Sequence, residues 1–254
     1  MVDLFQYIEF RKISVEGQRK AQNMLDEGVS INEILKFCRD FENKEKAADL
    51  KKAANLSKKF SLCTFDRFNP YTAELKNAYS KALRYAKSLD EIINEGLNLI
   101  FEGHGCVGTG KTHLAYSIAN YALENGVPTI AVNISQLVNA LNYDNKNSGF
   151  IKEITEIPLL IIDDLGKEPG YDWLLFEIYG ILNQRYESCK PTVITTEDTL
   201  TDLRRHYSIK TQDGEKDRGK SIFSRMCENV VIVGVTGEDY RMRNCVERSH
   251  PTSF

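Results

Sequence analysis

The sequence predicts an α/β fold, a parallel sheet set between helices and preceded by a small all-helical amino-terminal domain. Three observations carry that prediction. Short apolar runs at Leu99-Ile100-Phe101, Thr129–Asn133, Leu159–Ile162 and Thr192–Thr196 alternate with stretches of helical period, and strands separated by helices imply a parallel sheet covered on both faces. Residues Gly105–Thr112 spell G-x-x-x-x-G-K-T between one such run and a helix-like run from His113. Residues 1 to 60 contain no Pro and no Gly beyond Gly17 and Gly28, and their apolar residues recur at helical spacing.

The first 60 residues carry 12 Lys and Arg against 10 Asp and Glu, a local net charge of +2. Ser30-Ile31-Asn32-Glu33 reads as a capping box that opens a helix with Ile31, Ile34, Leu35, Cys38 and Phe41 on one face. Met24, Leu25 and Val29 suggest a helix before it. Lys44 to Lys59 is a lysine-rich linker, either a solvated helix or a contact with a partner or a nucleic-acid backbone. The pattern changes from Thr64 onward. A helix over Ala73–Lys87 is followed by a short one opening at Ser88 with Glu91 three residues on. Then come the strand before Gly103, a helix over Lys111–Asn125 closed by Gly126, a strand over Thr129–Asn133, a helix over Gln136–Leu141 and a polar loop over Asn142–Gly149. A strand over Leu159–Ile162, a helix over Trp173–Glu187 and a strand over Thr192–Thr196 complete the middle of the domain. Lys210–Lys220 reads as a mobile charged loop and Val230–Val235 as the last strand.

Composition narrows the class. The 254 residues are 42% hydrophobic and 27% charged, which suits a soluble globular chain of one large or two modest domains. No stretch approaches the ~18 apolar residues of a membrane span. Glu9, Arg11 and Lys12 interrupt any apolar signal near the amino terminus, so the expected location is cytoplasmic. Six scattered cysteines without a C-x-x-C pair argue against a zinc site and a disulfide framework. The net charge of −3 excludes a strongly basic coat while leaving room for a local basic groove.

The octapeptide is a phosphate-binding loop. Its glycines (Gly105, Gly108 and Gly110) let successive N–H groups turn inward, Thr109 sits between them, and the following helix aims its positive end at the same place. Lys111 can reach β- and γ-phosphates, and Thr112 can hold Mg²⁺, which makes ATP and Mg²⁺ the expected cofactors. The apolar run Leu159–Ile162 ends in Asp163-Asp164. Two adjacent carboxylates at a strand end are costly unless a metal and a polarised water use them. Asp163 is read as the Mg²⁺ ligand and Asp164 as the group that orients or deprotonates water. Thr196 and Glu197 close the next strand, where a polar side chain could steady that water. Arg225 and Arg241 are candidates to meet γ-phosphate charge, with surface ion pairing as the plain alternative for each.

These residues together resemble the AAA+ ATPases of the DnaC/DnaI helicase-loader type and the related IstB transposition helpers. The resemblance runs from Thr64-Phe65-Asp66-Arg67-Phe68 through Gly108–Ala115, including His113, to Ile162–Gly166, Arg185-Tyr186, Ser224-Arg225 and the closing Gly237-x-x-x-Arg241. It implies a helical partner-binding domain over residues 1–60 and an AAA+ domain over residues 61–254. The implied activity is an oligomer-dependent ATPase that loads a replicative DNA helicase onto single-stranded DNA in replication. It also implies an arginine finger at Arg225, a second sensor at Arg241, and self-association through the ATP site. Only 57 residues follow Glu197, so a reduced lid is expected. The family usually places Asn where Glu197 stands, and an acid there would repel γ-phosphate unless Thr196 takes the role or hydrolysis is slow. A transposition helper and a nucleotide-switched helicase regulator are the alternative functions.

Overall fold

The computed structural model describes residues 3–54, 56–142, 148–207, 224 and 227–242. Two compact units divide the chain, Met1–Asn55 with Leu123–Val127 and Leu56–Ala122 with Pro128–Phe254.

The first unit opens with a 3₁₀ turn, Leu4–Gln6, followed by α1 (Ile8–Lys12), α2 (Val15–Asp26) and α3 (Ile31–Ala53). Its helix starts are chemically specified. The Ser14 hydroxyl accepts the Gly17 N–H at the head of α2. At α3 the predicted capping box forms in both directions, with the Glu33 N–H donating to Ser30 Oγ and the Ser30 N–H to Glu33 Oε2. Leu4, Phe10, Ile13, Ala21, Ile34 and Cys38 make the core. Ile31, Ile34, Cys38 and Phe41 of the predicted face pack in or on that core, and Phe37 joins them. Gly17 sits within α2 because a Cβ there would run into the Phe41 ring of α3. The lysine-rich stretch begins as helix, since α3 continues to Ala53.

Among the described residues the second unit holds five parallel strands, β1 (Asn98–Glu102), β2 (Thr129–Asn133), β3 (Leu159–Asp163), β4 (Thr192–Thr196) and β5 (Val230–Gly234), in the order β2-β3-β4-β1-β5. Its helices are α4 (Ala73–Lys87), α5 (Leu89–Glu95), α6 (Lys111–Glu124), α7 (Ile134–Asn142), α8 (Ser148–Glu156), α9 (Asp172–Glu187) and α10 (Leu200–His206). Every residue of β3 and β4 is buried, as a central parallel strand requires. Ile100, Leu160, Ile162, Leu174, Ile178 and Ile194 belong to the main core. The Arg185 guanidinium is buried within it and donates to the carbonyls of Ile154, Thr155, Ile157 and Pro191 and to the Thr192 hydroxyl.

Several local expectations are corrected. Ser88 makes no side-chain cap to α5, because its φ/ψ of −104°/27° is not the extended geometry a capping hydroxyl needs. Helix α7 starts two residues earlier than predicted, with Asn133 Oδ1 accepting the Ser135 N–H and Gln136 Oε1 accepting the Asn133 N–H. Helices α8 and α10 were not predicted. The Lys210–Lys220 stretch and Arg225 lie outside the described residues. Among the described residues no helix is long and apolar enough to cross a membrane.

Candidate nucleotide-binding site

The strand order puts the carboxyl ends of β1, β4 and β3 side by side. In an open parallel sheet the crevice beyond those ends is where ligands bind. Here a cavity of about 390 Å³ is lined by Gly108 to His113 on one side and by Asn133, Asp163, Asp164 and Glu197 on another. Phe60, Phe68, Tyr71 and Tyr240 add aromatic walls, and Arg241 lines the same space.

The loop after β1 is shaped by close approach. A Cβ on Gly110 would lie 2.6 Å from the Phe68 ring, and one on Gly108 would enter the Asp239 carboxylate; both residues have positive φ, +104° and +68°. The loop is pinned from three directions. Thr109 Oγ1 donates to the Val235 carbonyl at 2.8 Å, the Gly105 N–H to the Glu197 carbonyl at 2.6 Å, and the Tyr240 N–H to the Gly108 carbonyl at 3.1 Å. Thr109 is therefore a tether of the loop. His113 donates from Nε2 to the Thr64 carbonyl at 2.8 Å, and its ring meets Phe68 edge to face. Burial lowers its pKa, so the neutral ring is favoured, and the carbonyl acceptor fixes the proton on Nε2. Lys111 is 6% exposed, with Nζ donating to the Cys106 carbonyl at 2.6 Å. Burial pulls its pKa down, against the charges of Glu197 and Asp164.

Asp163 ends β3 as a buried carboxylate. Its Oδ1 accepts from Thr112 Oγ1 at 2.8 Å and from Thr195 Oγ1 at 2.6 Å. Burial pushes its pKa up, while those two hydroxyls pull it down. Asp164 follows with φ +64°, a strained conformation for a residue with a Cβ. The strain is held in place by the Asp164 N–H donating to Thr195 Oγ1 at 2.9 Å and the Leu165 N–H donating to the Thr195 carbonyl. Asp164 then points back at Asn133 Nδ2, 3.4 Å away, and at Lys167 Nζ, 2.9 Å away. The donor set of Thr112 hydroxyl and Asp163 carboxylate is hard, oxygen-only and small. That suits Mg²⁺, which takes one or two protein ligands and completes its shell with phosphates and water.

The structure brings together Gly108, Thr109, Gly110, Lys111, Thr112, His113, Asp163, Asp164, Glu197 and Arg241 around one cavity. Gly105 has φ +80° and shapes the start of the loop without lining it. Thr196 does not join them. It is fully buried, its Oγ1 accepts the Asp198 N–H at 3.1 Å, and strand alternation presents Thr195 to Asp163 in its place. Two residues that sequence reasoning missed complete the site. Thr195 fixes both aspartates, and Lys167 Nζ lies 2.7 Å from Glu197 Oε1, giving that acid an ion-pair partner.

Fold and site define a P-loop ATP-binding protein of the AAA+ type. A family model described as "IstB-like ATP binding protein" matches residues 13–248, and the chain belongs to that family. The replicative helicase loader DnaC of Escherichia coli K12 is 26% identical over 183 residues, covering 70% of this chain and 72% of that one. The replicative helicase loader DnaI of Bacillus subtilis 168 is 23% identical over 199 residues, covering 77% of this chain and 62% of that one. A crystal structure of the DnaC helicase loader shares the fold, with a TM-score of 0.60 at 24% identity over 70% of this chain and 99% of that one. These relatives support a loader-type or IstB-like ATPase role.

Proposed function

We propose that the chain is an ATP-dependent loader of a replicative DNA helicase. In this reading the helical domain of residues 1–60 holds the helicase, and the AAA+ domain of residues 61–254 binds ATP and single-stranded DNA. The observation that carries the ATPase half is Asp163, a buried carboxylate fixed by Thr112 from the phosphate loop and by Thr195 from β4, with strained Asp164 beside it. The loader half rests on the named relatives.

Lys111 releases Cys106 and takes β- and γ-phosphate oxygens, while the loop N–H groups around Gly108 and Gly110 supply the remaining donors. Thr112 and Asp163 would hold Mg²⁺. When bound, Mg²⁺ neutralises charge on the phosphate oxygens and fixes their geometry. Asp164 orients water and accepts its proton. Arg241, which lines the cavity, would meet phosphate charge as the second sensor. Arg225, in a neighbouring copy, supplies positive charge to the γ-phosphate, so turnover depends on self-association and is slow in the isolated chain.

The test joins capture and turnover. A replicative helicase used as bait should retain the wild-type chain in MgATP, and single-stranded DNA should raise ATP hydrolysis above that of Lys111→Ala. Arg225→Ala should keep ATP affinity and lose turnover. Hydrolysis equal to that of Lys111→Ala would leave a nucleotide-switched regulator of the helicase. ATP-dependent assembly on duplex DNA without any helicase complex would reject the loader reading in favour of a transposition helper, the alternative that the IstB-like family admits.

A further inference from the structure

Lys167 bridges two acids. Its Nζ is 2.9 Å from Asp164 Oδ1 and 2.7 Å from Glu197 Oε1. Burial lowers its pKa, but the hydrogen bonds and charges of Glu197 and Asp164 outweigh burial and raise it above its ordinary value. Both ends of the bridge are fixed. The turn that carries Lys167 is closed by its N–H to the Asp164 carbonyl at 3.3 Å and by the Gly166 N–H to Glu168 Oε2 at 2.8 Å. Glu197 is tied to the phosphate loop through its carbonyl, which accepts the Gly105 N–H. The bridge therefore spans β3, β4 and the loop after β1.

The charge pattern says what the bridge is for. Asp163, Asp164 and Glu197 line one side of the cavity, and Lys111 faces them from the loop. On the ATP-site reading above, a triphosphate would bring its last phosphate between Lys111 and these acids, and a diphosphate would stop one phosphate short. An unpaired Glu197 would meet the terminal phosphate as a like charge. Paired to Lys167 it carries a compensated charge, because the Lys167 ammonium has donors enough to hold both acids at once.

We propose that Lys167 and Glu197 act as one charge-compensated pair that makes this site favour a nucleoside triphosphate over a diphosphate. Both are positioning residues, acting on the terminal phosphate and on Asp164 through their mutual charge. The inference rests on the ATP-site reading above.

Equilibrium titration in Mg²⁺ buffer with ADP and with the non-hydrolysable β,γ-methylene analogue of ATP tests it without any turnover. Lys167→Met should weaken the triphosphate analogue about tenfold, because it uncovers Glu197 and Asp164 together, and should leave ADP within about twofold. Lys167→Arg should retain most of the preference. The double variant Lys167→Met/Glu197→Gln should recover the analogue to within about threefold of wild type, since removing both members removes the repulsion as well. An equal loss for ADP and the analogue in Lys167→Met would overturn the pair, and so would single effects that simply multiply in the double variant. If Lys167→Met fails to fold by circular dichroism, the charge-exchanged variant Lys167→Glu/Glu197→Lys carries the same test, and loss of preference there also overturns the pair. A wild-type chain that binds neither nucleotide would instead sink the ATP-site reading, and the pair with it.

Discussion

Thr195 is the residue that sets Asp163. Its hydroxyl donates to Asp163 Oδ1 at 2.6 Å and accepts the Asp164 N–H at 2.9 Å, so one side chain on β4 orients both acids at the end of β3. The pairing of Ile162 with Ile194 places Thr195 opposite Asp163.

Thr195→Val should show what that hydroxyl is worth. Valine keeps the shape but leaves a buried carboxylate short of a donor and the Asp164 N–H without its acceptor. The expected cost in stability is about 1–3 kcal/mol, the penalty for stranding buried polar groups. Losing the hydroxyl also removes one of the contacts that hold the Asp163 pKa down against burial, so Mg²⁺-dependent nucleotide binding should weaken. Thr195→Ser should retain both effects' protection. Urea unfolding and nucleotide titration check the pair, and a Val variant indistinguishable from wild type in both would contradict the assignment.

Lys111→Ala should separate binding from folding. Lys111 is a buried ammonium whose pKa burial lowers, so its removal relieves desolvation and should leave the nucleotide-free protein within about 1 kcal/mol of wild type. A ligand at 100 times its Kd stabilises the folded state by about 2.7 kcal/mol. MgATP at that excess should raise the wild-type melting temperature and leave that of Lys111→Ala unmoved. A nucleotide-induced shift of equal size in both proteins would remove Lys111 from the phosphate site.

The parts of this molecule legible in the sequence are those whose signal is local. The phosphate loop and the Asp163-Asp164 pair are short motifs next to apolar runs, and the strands that position them were placed to within a residue. Helix α8 was missed although Phe150, Ile151, Ile154 and Ile157 have helical spacing, because the polar run before them reads as an extended loop. Helix α10 is seven residues long and buries only Leu203, too little periodicity to outweigh its charge. Thr195 and Lys167 were missed for a different reason. Each acts across strands or across a turn, and neither the register of β3 on β4 nor the left-handed turn at Asp164 is written in residue spacing. For the same reason Glu197 looked repulsive when considered alone. Its compensating charge stands thirty positions earlier in the chain.

Arg185 carries the largest expected stability effect. It is 1% exposed and makes five hydrogen bonds, three of them to carbonyls at the end of α8, where the helix dipole favours a cation. Arg185→Met would leave those carbonyls, Pro191 and the Thr192 hydroxyl unpaired in the core. The expected loss is about 3–5 kcal/mol, as for breaking a buried charged network. Arg185→Lys should recover little, because a single ammonium cannot span acceptors arranged for a planar fork. Chemical denaturation measures both, and a Lys variant within about 1 kcal/mol of wild type would show that charge alone suffices.

The Glu168–His206 contact makes folding stability depend on pH. Glu168 is 5% exposed; it accepts the Gly166 N–H at 2.8 Å and the Tyr207 hydroxyl, and His206 Nε2 lies 3.3 Å from its Oε1 as an ion-pair contact. Glu168 raises the pKa of His206 above its ordinary 6.5, against burial. For Glu168 burial acts upward, but His206, Tyr207 and the backbone donors together hold the carboxyl below its ordinary 4.5. A histidine with a raised folded pKa contributes stability that is full below 6.5 and is lost as pH rises through the folded value. A carboxylate with a lowered folded pKa contributes above 4.5 and loses that contribution as pH falls through its folded value. Between those limits both contributions stand together. His206→Gln keeps a hydrogen-bonding side chain and removes the proton switch. The stability difference between wild type and His206→Gln should therefore be largest near pH 5 to 6, on the order of 1 kcal/mol, and should shrink as pH rises beyond the histidine's raised value. Urea midpoints measured from pH 5 to 9 decide it. A difference that stays constant across that range would mean the ion pair adds nothing to folding, and that Tyr207 and the Gly166 N–H hold Glu168 without help from His206.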